Sequence, residues 1–301
     1  MTARPNFFIV GAPKCGTTAL SHYLRRHPQI FFSLPKEPHY FATDLPRYRM
    51  ATHESAYLEY FRDAGPQHTA VGEGSVYYLY STEALSRIRA FDPEAKIIVM
   101  LRNPVDMVYS LHAQLLYSGN ETERDFARAW GLQELRARGH HVPPKCHDVK
   151  ILMYREVASL GAQCQRLLEV FPRRQVKFVR FEDFKARTAE VYGDVLAFLG
   201  VEPDGRRHFE PVNESKVHRF QRLGQFTQRP PAALVRLGGR CARMLGLRRL
   251  GLLRRLREVN SQAYARPPLD PALRQRLTEV FRDDTLRLGR VLDWDVAEVR
   301  A

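Results

Sequence analysis

The chain has 301 residues and a mass of 34.9 kDa, which suits one large domain or at most two small ones. Apolar residues make up 44% of the chain and charged residues 27%, so a sizeable core can form, and this composition argues against general disorder. The 47 lysines and arginines exceed the 33 acidic residues by 14, and a surface with this positive charge should attract anions.

Cysteine spacing and hydropathy indicate the compartment. The four cysteines are too scattered for a zinc site or a disulfide framework: Cys15, Cys146, Cys164 and Cys241. The chain reaches Gly11 before an apolar run of signal-peptide length has formed, and no later stretch approaches the roughly 18 apolar residues of a membrane span. We expect a soluble cytoplasmic protein in a reducing environment.

The first elements are a strand, a loop and a helix. Phe7–Val10 is a short apolar run that stops at a Gly-Pro cluster ending at Gly16. Apolar residues at helical spacing then follow from Thr17 to Leu24. A loop that joins a parallel strand to a helix can bind an anion, because free backbone N–H groups and the positive end of the helix dipole meet there.

The residues of this loop indicate which anion it binds. Gly11 and Gly16 would let the backbone approach a ligand closely, Thr17 and Thr18 supply hydroxyls, and Lys14 supplies positive charge. In the pattern G-x-x-x-x-G-K-[ST] the lysine follows the second glycine, whereas here it stands three positions earlier. This favours a shorter 5′ anion than a nucleoside triphosphate. A Gly-Pro turn that binds nothing is the alternative.

Later elements repeat the alternation of strand and helix. Apolar runs predict three more strands: Thr69–Gly72, Ile97–Leu101 and Val176–Phe181. Helical patterns lie between and after them, at about 104–116, 156–170 and 189–199. Together they predict an α/β protein with a P-loop-like, doubly wound parallel sheet flanked by helices. After Gly200 the order weakens, a basic arginine-rich stretch covers about 229–268, and residues 273–292 predict one final amphipathic helix.

Three segments resemble one enzyme family. Residues 7–20, FFIVGAPKCGTTAL, closely resemble the phosphosulfate-binding loop of sulfotransferases that use 3′-phosphoadenosine 5′-phosphosulfate (PAPS). Residues 97–110, with Arg102 and Ser110, resemble the same family's 3′-phosphate segment. Residues 36–41, KEPHYF, resemble the carboxylate motif of heparan-sulfate-type and related bacterial members. The likeness covers most of the chain and is weakest at about 119–150 and 225–268.

The resemblance implies that PAPS is the donor and that no metal is required. It places Lys14 beside the bridging oxygen and assigns the 5′-phosphate to the residues that follow: Cys15, Gly16, Thr17, Thr18 and Ala19. Arg102 and Ser110 would hold the 3′-phosphate, which distinguishes PAPS from ATP. Residues 213–219 resemble the family's late loop over the nucleotide, so Lys216 or Arg219 would contact the 3′-phosphate, with a solvated basic loop as the alternative.

The resemblance makes Glu37 the candidate general base, in a catalytic set with Lys14 and His39. Without the resemblance, Glu37 would be interpreted as an exposed acid paired with Lys36. His39 is the rival base, because the cytosolic branch of the superfamily uses a histidine, and it is otherwise expected to orient the acceptor or Glu37. Gly74 stands where heparan-sulfate-type members often carry a lysine, which argues against a second catalytic lysine.

The expected protein is one sulfotransferase domain over residues 1–301 that transfers a sulfuryl group from PAPS to a hydroxyl of a saccharide, lipid or natural product. The arginine-rich stretch 229–268 is interpreted as a solvated helix face, a lid or groove for an anionic or amphiphilic acceptor, or a peripheral membrane contact. The alternatives are a P-loop kinase and a basic nucleic-acid-binding protein. The displaced lysine argues against the first, and the lack of an RNA-recognition or zinc motif argues against the second, so no nucleic-acid partner is expected.

Overall fold

The computed structural model describes residues 3–210, 212 and 267–294, together with the strands at 216–218 and 261–263. Five strands form one sheet: β1 (Phe7–Gly11), β2 (Ile30–Phe32), β3 (Ala70–Gly74), β4 (Lys96–Leu101) and β5 (Val176–Arg180). Their order is β2-β3-β1-β4-β5, and every neighbouring pair is parallel. The predicted doubly wound parallel sheet is therefore confirmed.

The sheet is central because its strands are apolar on both faces. The side chains of β1 are inaccessible to solvent, and those of β4 are buried apart from the first. With β2 and β3 on one side of β1 and β4 and β5 on the other, the winding of the chain reverses at β1. Parallel sheets bind ligands beyond the carboxyl ends of their strands at such a reversal.

Helices connect and cover the strands: α1 (Thr17–Arg25), α2 (Glu54–Leu58), α3 (Ala84–Phe91), α4 (Pro104–Ser118), α5 (Phe126–Gly131), α6 (Gln133–Ala137), α7 (Tyr154–Val157), α8 (Leu160–Val170), α9 (Phe181–Ala186), α10 (Thr188–Leu199), α11 (Pro271–Val280) and α12 (Arg282–Leu292). The start of α4 is fixed locally, because the Asn103 side chain accepts the N–H groups of Val105 and Asp106, and Pro104 occupies the first turn. In the part of the chain that the structure describes, no helix is long and apolar enough to cross a bilayer.

The structure corrects several element predictions. β2 was not predicted, and the predicted strand at Thr69–Gly72 is β3. The strand predicted to run to Phe181 ends at Arg180, and Phe181 is the first residue of α9. The helix predicted at 156–170 is broken between α7 and α8, and the Gln163 amide donates to the carbonyls of Glu156 and Val157, which border the break.

The final helix predicted over 273–292 is two helices. They meet at Phe281, which is buried against Trp130 with ring centroids 5.8 Å apart. The arginine-rich stretch lies outside the described residues except for the strand β7 (Ser261–Ala263), which pairs antiparallel with β6 (Lys216–His218), and for residues 267–268. The chain then returns to α4, because Tyr109 donates to the Pro267 carbonyl at 3.0 Å.

Candidate functional site

The predicted site residues lie in loops at the carboxyl edge of the sheet. The loop of residues 12–16 follows β1, Arg102 follows β4, and the turn with Glu37 and His39 follows β2. Phe181, which follows β5, was not predicted as part of the site. Because the strands are parallel, the fold brings these loops to one edge.

The loop after β1 leads into a helix start with the features of an anion site. Gly16 caps α1 with a φ of 86°, no side chain caps the helix, and its first turn contains no acidic residue. The N–H groups of that turn and the positive helix end therefore meet at residues 16–19. Cys15 is fully buried and its thiol contacts the Pro13 carbonyl at 3.5 Å, so the thiol is not part of the loop surface. Burial also raises the pKa of the Cys15 thiol.

One aromatic ring supports both predicted anion sites. Gly16 has a φ of 86°, which favours glycine, and a Cβ atom there would lie 3.1 Å from Phe181 Cδ2 and 3.4 Å from the Met100 methyl, so the ring packs closely against this position. The Arg102 guanidinium lies 4.6 Å from the centroid of the same Phe181 ring, on its face. Phe181 therefore packs against the loop after β1 and against the first residue of the second motif.

Lys14 connects the first motif to α4. Its backbone is left-handed, with a φ of 64°, and its ammonium group donates to Gln114 Oε1 at 3.2 Å. Gln114 lies one helical turn after Ser110 on the same face of α4. Gln114 was not predicted as a site residue, although its four-residue spacing from Ser110 could have identified it.

Arg102 lies in the turn between β4 and α4, and Ser110 lies in the middle of α4. The Arg102 side chain is 24% exposed, and its Nη2 is 4.0 Å from Asp106, which also forms an ion pair with Arg274. Arg102 Nε is buried, and among the described residues it has no hydrogen-bond partner. Ser110 is 9% exposed. A buried guanidinium nitrogen without an acceptor favours the binding of an anion here, because an unsatisfied buried donor is costly.

The turn after β2 carries the predicted base. Glu37 forms an ion pair with Lys36 at 2.5 Å, as expected without the resemblance, but its side chain is only 34% exposed. The imidazole of His39 is 2% exposed; its Nδ1 donates to the Glu37 carbonyl at 2.9 Å, and its Nε2 has no hydrogen-bond partner among the described residues. Both residues adopt left-handed backbone angles, with φ values of 70° and 49°.

The charges around this turn set the protonation states of both side chains. Burial opposes ionisation of Glu37, but the charge of Lys36, its hydrogen bond to Glu37 and the charge of Lys14 outweigh burial and hold the pKa of Glu37 below its ordinary value. Burial lowers the pKa of His39. With Nδ1 donating to a carbonyl, a neutral His39 presents Nε2 as a hydrogen-bond acceptor. The charge of Lys14 thus acts on Glu37, and Glu37 is hydrogen-bonded through its carbonyl to His39, so the three predicted catalytic residues interact.

Two residues that follow β3, Ser75 and Tyr78, form hydrogen bonds with the backbone of this turn, and neither was predicted as a site residue. The N–H of His39 donates to Ser75 Oγ at 3.0 Å, and the N–H of Phe41 donates to the Tyr78 hydroxyl at 3.3 Å. Nothing in the sequence identified these contacts, because Ser75 lies 36 residues from His39. At Gly74, a Cβ atom would lie 3.2 Å from Phe32 Cζ, so the position that departs from the heparan-sulfate-type pattern faces packed core.

The late loop is described only in part. Lys216 lies in β6, whose backbone passes close to α4. Arg219 lies outside the described residues, so its predicted contact with a 3′-phosphate stays a prediction. The same holds for most of the arginine-rich stretch.

Comparison with known proteins identifies the family. The sulfotransferase domain matches residues 4–223. The crystal structure of the sulfotransferase from Alicyclobacillus acidocaldarius superposes with a TM-score of 0.73 at 30% identity and covers 99% of this chain and 100% of that chain. Bifunctional heparan sulfate N-deacetylase/N-sulfotransferase 4 of Mus musculus is 27% identical over 96% of this chain and 30% of its own length. Carbohydrate sulfotransferase 15 of Mus musculus is 27% identical over 72% of this chain and 47% of its own length.

The chain thus spans 30% and 47% of the length of these two curated relatives. The family match covers the sheet from β1 to β5 and every described site residue discussed above. From its sequence, its fold and this match, the chain belongs to the sulfotransferase domain family.

Proposed function

We propose that the protein transfers a sulfuryl group from PAPS to a hydroxyl of a saccharide acceptor. The proposal is supported by two candidate anion sites at one edge of the sheet, the helix start at Gly16 and the turn after β4 with Arg102, which both pack against the ring of Phe181. Ser110 lies on α4, the helix that follows this turn. A donor with phosphates at both ends of one adenosine needs two such sites. A nucleoside triphosphate needs only the first.

The residues of the chain divide the binding of the donor between them. The N–H groups of residues 16–19 and the hydroxyls of Thr17 and Thr18 would bind the 5′-phosphate. Arg102 and Ser110 would bind the 3′-phosphate, which supplies an acceptor for the buried Nε of Arg102. On donor binding, the Lys14 ammonium group would leave Gln114 Oε1 and donate to the bridging oxygen instead, where it would neutralise the negative charge that develops.

The transfer needs one proton acceptor. The bond between the sulfur and the bridging oxygen breaks, its electron pair stays on the phosphate, and a new bond forms between the sulfur and the acceptor oxygen. We infer that Glu37 takes the proton from the substrate hydroxyl, because the Glu37 carboxylate is ionised at neutral pH and is exposed enough to meet a substrate. General-base assistance of this kind is typically worth about 10²- to 10⁴-fold in rate.

His39 is the second candidate base. Its Nε2 is an acceptor without a partner among the described residues, which favours a hydrogen bond from the acceptor hydroxyl. Its side chain is almost fully buried, so a substrate would reach it less readily than Glu37. We therefore infer that His39 orients the hydroxyl and that Glu37 takes the proton.

The relatives support a saccharide acceptor, because their names describe enzymes that act on heparan sulfate and carbohydrate. The net charge of +14 would also attract an anionic saccharide. Incubation of labelled PAPS with a panel of saccharides, lipids and other hydroxylated metabolites tests the acceptor class. Label on lipids alone would contradict this part of the proposal.

Calorimetry tests the donor. We expect the protein to bind adenosine 3′,5′-bisphosphate more tightly than AMP, and we expect Arg102→Ala to remove that preference. Arg87→Ala, which changes an exposed arginine on α3, serves as the matched control and should retain it. Equal affinity of the wild-type protein for the two nucleotides, or turnover of ATP that depends on magnesium, would overturn the proposal in favour of a kinase.

A further inference from the structure

A fully buried carboxylate lies beneath the turn that carries Glu37 and His39. Glu73, near the end of β3, is 0% exposed. Its Oε2 accepts a hydrogen bond from Ser75 Oγ at 2.7 Å. Its Oε1 accepts from the hydroxyls of Tyr78, at 2.7 Å, and Tyr57, at 3.2 Å. Neither the donor sites nor the transfer step described above uses this group.

The direction of these hydrogen bonds orients the hydroxyls. An ionised carboxylate can only accept, so each hydroxyl gives Glu73 its single proton and keeps its lone pairs for another donor. Ser75 then accepts the N–H of His39, and Tyr78 accepts the N–H of Phe41. Glu73 therefore acts on two backbone groups of the turn, each through one hydroxyl.

This turn needs such support. Glu37 and His39 both have φ values in the left-handed region, which side chains with a Cβ rarely adopt. Strained backbone of this kind persists only where the surroundings hold it, and it is concentrated at functional sites. The contacts from Ser75 and Tyr78 reach the turn at and just after those two residues.

We propose that Glu73 is a positioning residue for sulfuryl transfer, which through Ser75 and Tyr78 holds the turn that presents Glu37 and His39 to the acceptor. The inference rests on the proposed function for its effect on rate. It assigns Glu73 no contact with donor or acceptor. The Tyr57 hydroxyl also binds Glu73 but reaches no backbone group of the turn, so it lies outside this relay.

The protonation of Glu73 makes the relay sensitive to pH. Burial raises the pKa of Glu73 to about 7, although the hydroxyls of Ser75, Tyr78 and Tyr57 and the charge of Lys36 favour its ionised form. Protonated Glu73 becomes a donor itself, and the hydroxyls then no longer need to point at it. We therefore expect kcat to fall as the pH drops through about 7.

Three variants separate positioning from general structure. In Glu73→Gln, one carboxylate oxygen becomes a donor, and in Ser75→Ala the link to His39 is removed. We expect both to lower kcat about 100-fold, the loss typical of a misplacement near 1 Å, with the affinity for adenosine 3′,5′-bisphosphate unchanged within twofold. Tyr57→Phe is the matched control and should keep kcat within twofold at a pH well above 7, where Glu73 is ionised with or without the Tyr57 hydroxyl. In Glu73→Gln, kcat should no longer fall as the pH drops through about 7.

A second measurement does not depend on the reaction. Hydrogen exchange of the His39 amide should become faster in Glu73→Gln and Ser75→Ala and stay slow in Tyr57→Phe. If the wild-type protein fails to bind the bisphosphate or to transfer sulfuryl groups, the proposed function fails and this exchange still tests the relay. If the exchange of the His39 amide and kcat are both unchanged in Ser75→Ala, the inference is overturned. This test holds even if Glu73→Gln does not fold.

Discussion

At the scale of single residues, Glu37 shows how neighbouring cations keep a partly buried carboxylate ionised. Its ion pair with Lys36 alone would fit an ordinary surface acid, which in most proteins contributes little. Here the same side chain is two-thirds covered, and the charge of Lys14 also acts on it. The chemistry of the turn therefore depends on the combination of Lys14, Lys36 and Glu37.

We expect Glu37→Gln to lower kcat about 10²- to 10⁴-fold, because the amide cannot take the proton of the acceptor. The affinity for adenosine 3′,5′-bisphosphate should stay nearly the same, since Glu37 has no role in binding either phosphate. Steady-state kinetics and calorimetry measure the two effects. Glu83→Gln, which changes an exposed glutamate paired with Arg87, is the control. A Glu37→Gln enzyme of normal kcat would make His39 the base.

The buried carboxyl of Glu73 should make the stability of the fold depend on pH. Because burial raises its pKa from 4.5 to about 7, the folded state binds the proton more tightly than the unfolded state. The resulting stabilisation is complete below about pH 4.5 and is lost as the pH rises through about 7. It corresponds to about 3 kcal/mol at most.

Glu73→Gln removes this titration. Denaturant unfolding of the variant and the wild-type protein at pH 5 and pH 8 should show the variant gaining relative stability at the higher pH. A difference in unfolding free energy that is the same at both pH values would contradict the raised pKa of Glu73. A residue that costs stability at neutral pH and yet is needed for kcat would be retained for function.

At the scale of elements, α8 and α12 are joined at an unusually close crossing. The N–H groups of Gly161 and Ala162 donate to the Asp284 carboxylate at 2.8 and 2.9 Å. A Cβ atom on Gly161 would lie 2.2 Å from the Asp284 carbonyl and 2.9 Å from the Leu288 nitrogen. Both are backbone atoms, so a larger residue must push the helices apart.

We expect Gly161→Ala to lower the free energy of unfolding by about 2 kcal/mol, the usual cost of overpacking. Gly193→Ala is the matched control, because Gly193 lies inside α10 and a Cβ atom added there would have no neighbour within 4 Å among the described residues. That variant should be more stable by about 0.5 to 1 kcal/mol, from helix propensity alone. Denaturant unfolding measures both, and equal effects would show that the crossing is not tight.

The elements that could be predicted from sequence are those that local pattern determines. β1 and β4 contain uninterrupted apolar runs and the loop after β1 has glycines at fixed spacing, so the fold class and Lys14 could be identified. β2 has three residues, too few to show alternation. The break at Phe281 depends on Trp130, and the contact of Lys14 with Gln114 joins residues 100 positions apart. Such contacts exist only once the sheet has formed.

At the scale of the whole molecule, the net charge of +14 acts on every ligand that approaches. Interactions between exposed charges are screened beyond about 10 Å at 0.1 M salt. Long-range attraction should therefore matter more for an extended anionic acceptor than for a small neutral one. The proposed donor sites at Gly16 and Arg102 would act through short-range contacts, so salt should affect the binding of the donor less.

We expect kcat/KM for an anionic saccharide to fall steeply between about 0.05 and 0.5 M salt, because added ions screen the positive surface. For a neutral saccharide of the same length, kcat/KM should change little over this range. Parallel kinetics with the two acceptors measure the difference. An equal salt dependence for both acceptors would mean that the charge of the molecule has no role in acceptor choice.

The ring of Phe181 lies between the two candidate anion sites, the helix start at Gly16 and the Arg102 guanidinium. A Cβ atom on Gly16 would lie 3.1 Å from one edge of this ring, and the Arg102 guanidinium lies 4.6 Å from its centroid, so the ring packs against both sites. The spacing that results is a property of the protein before any nucleotide arrives. Adenosine 2′,5′-bisphosphate has the same charge and composition as the 3′,5′ isomer, but its two phosphates are spaced differently. It should therefore bind less tightly than the 3′,5′ isomer.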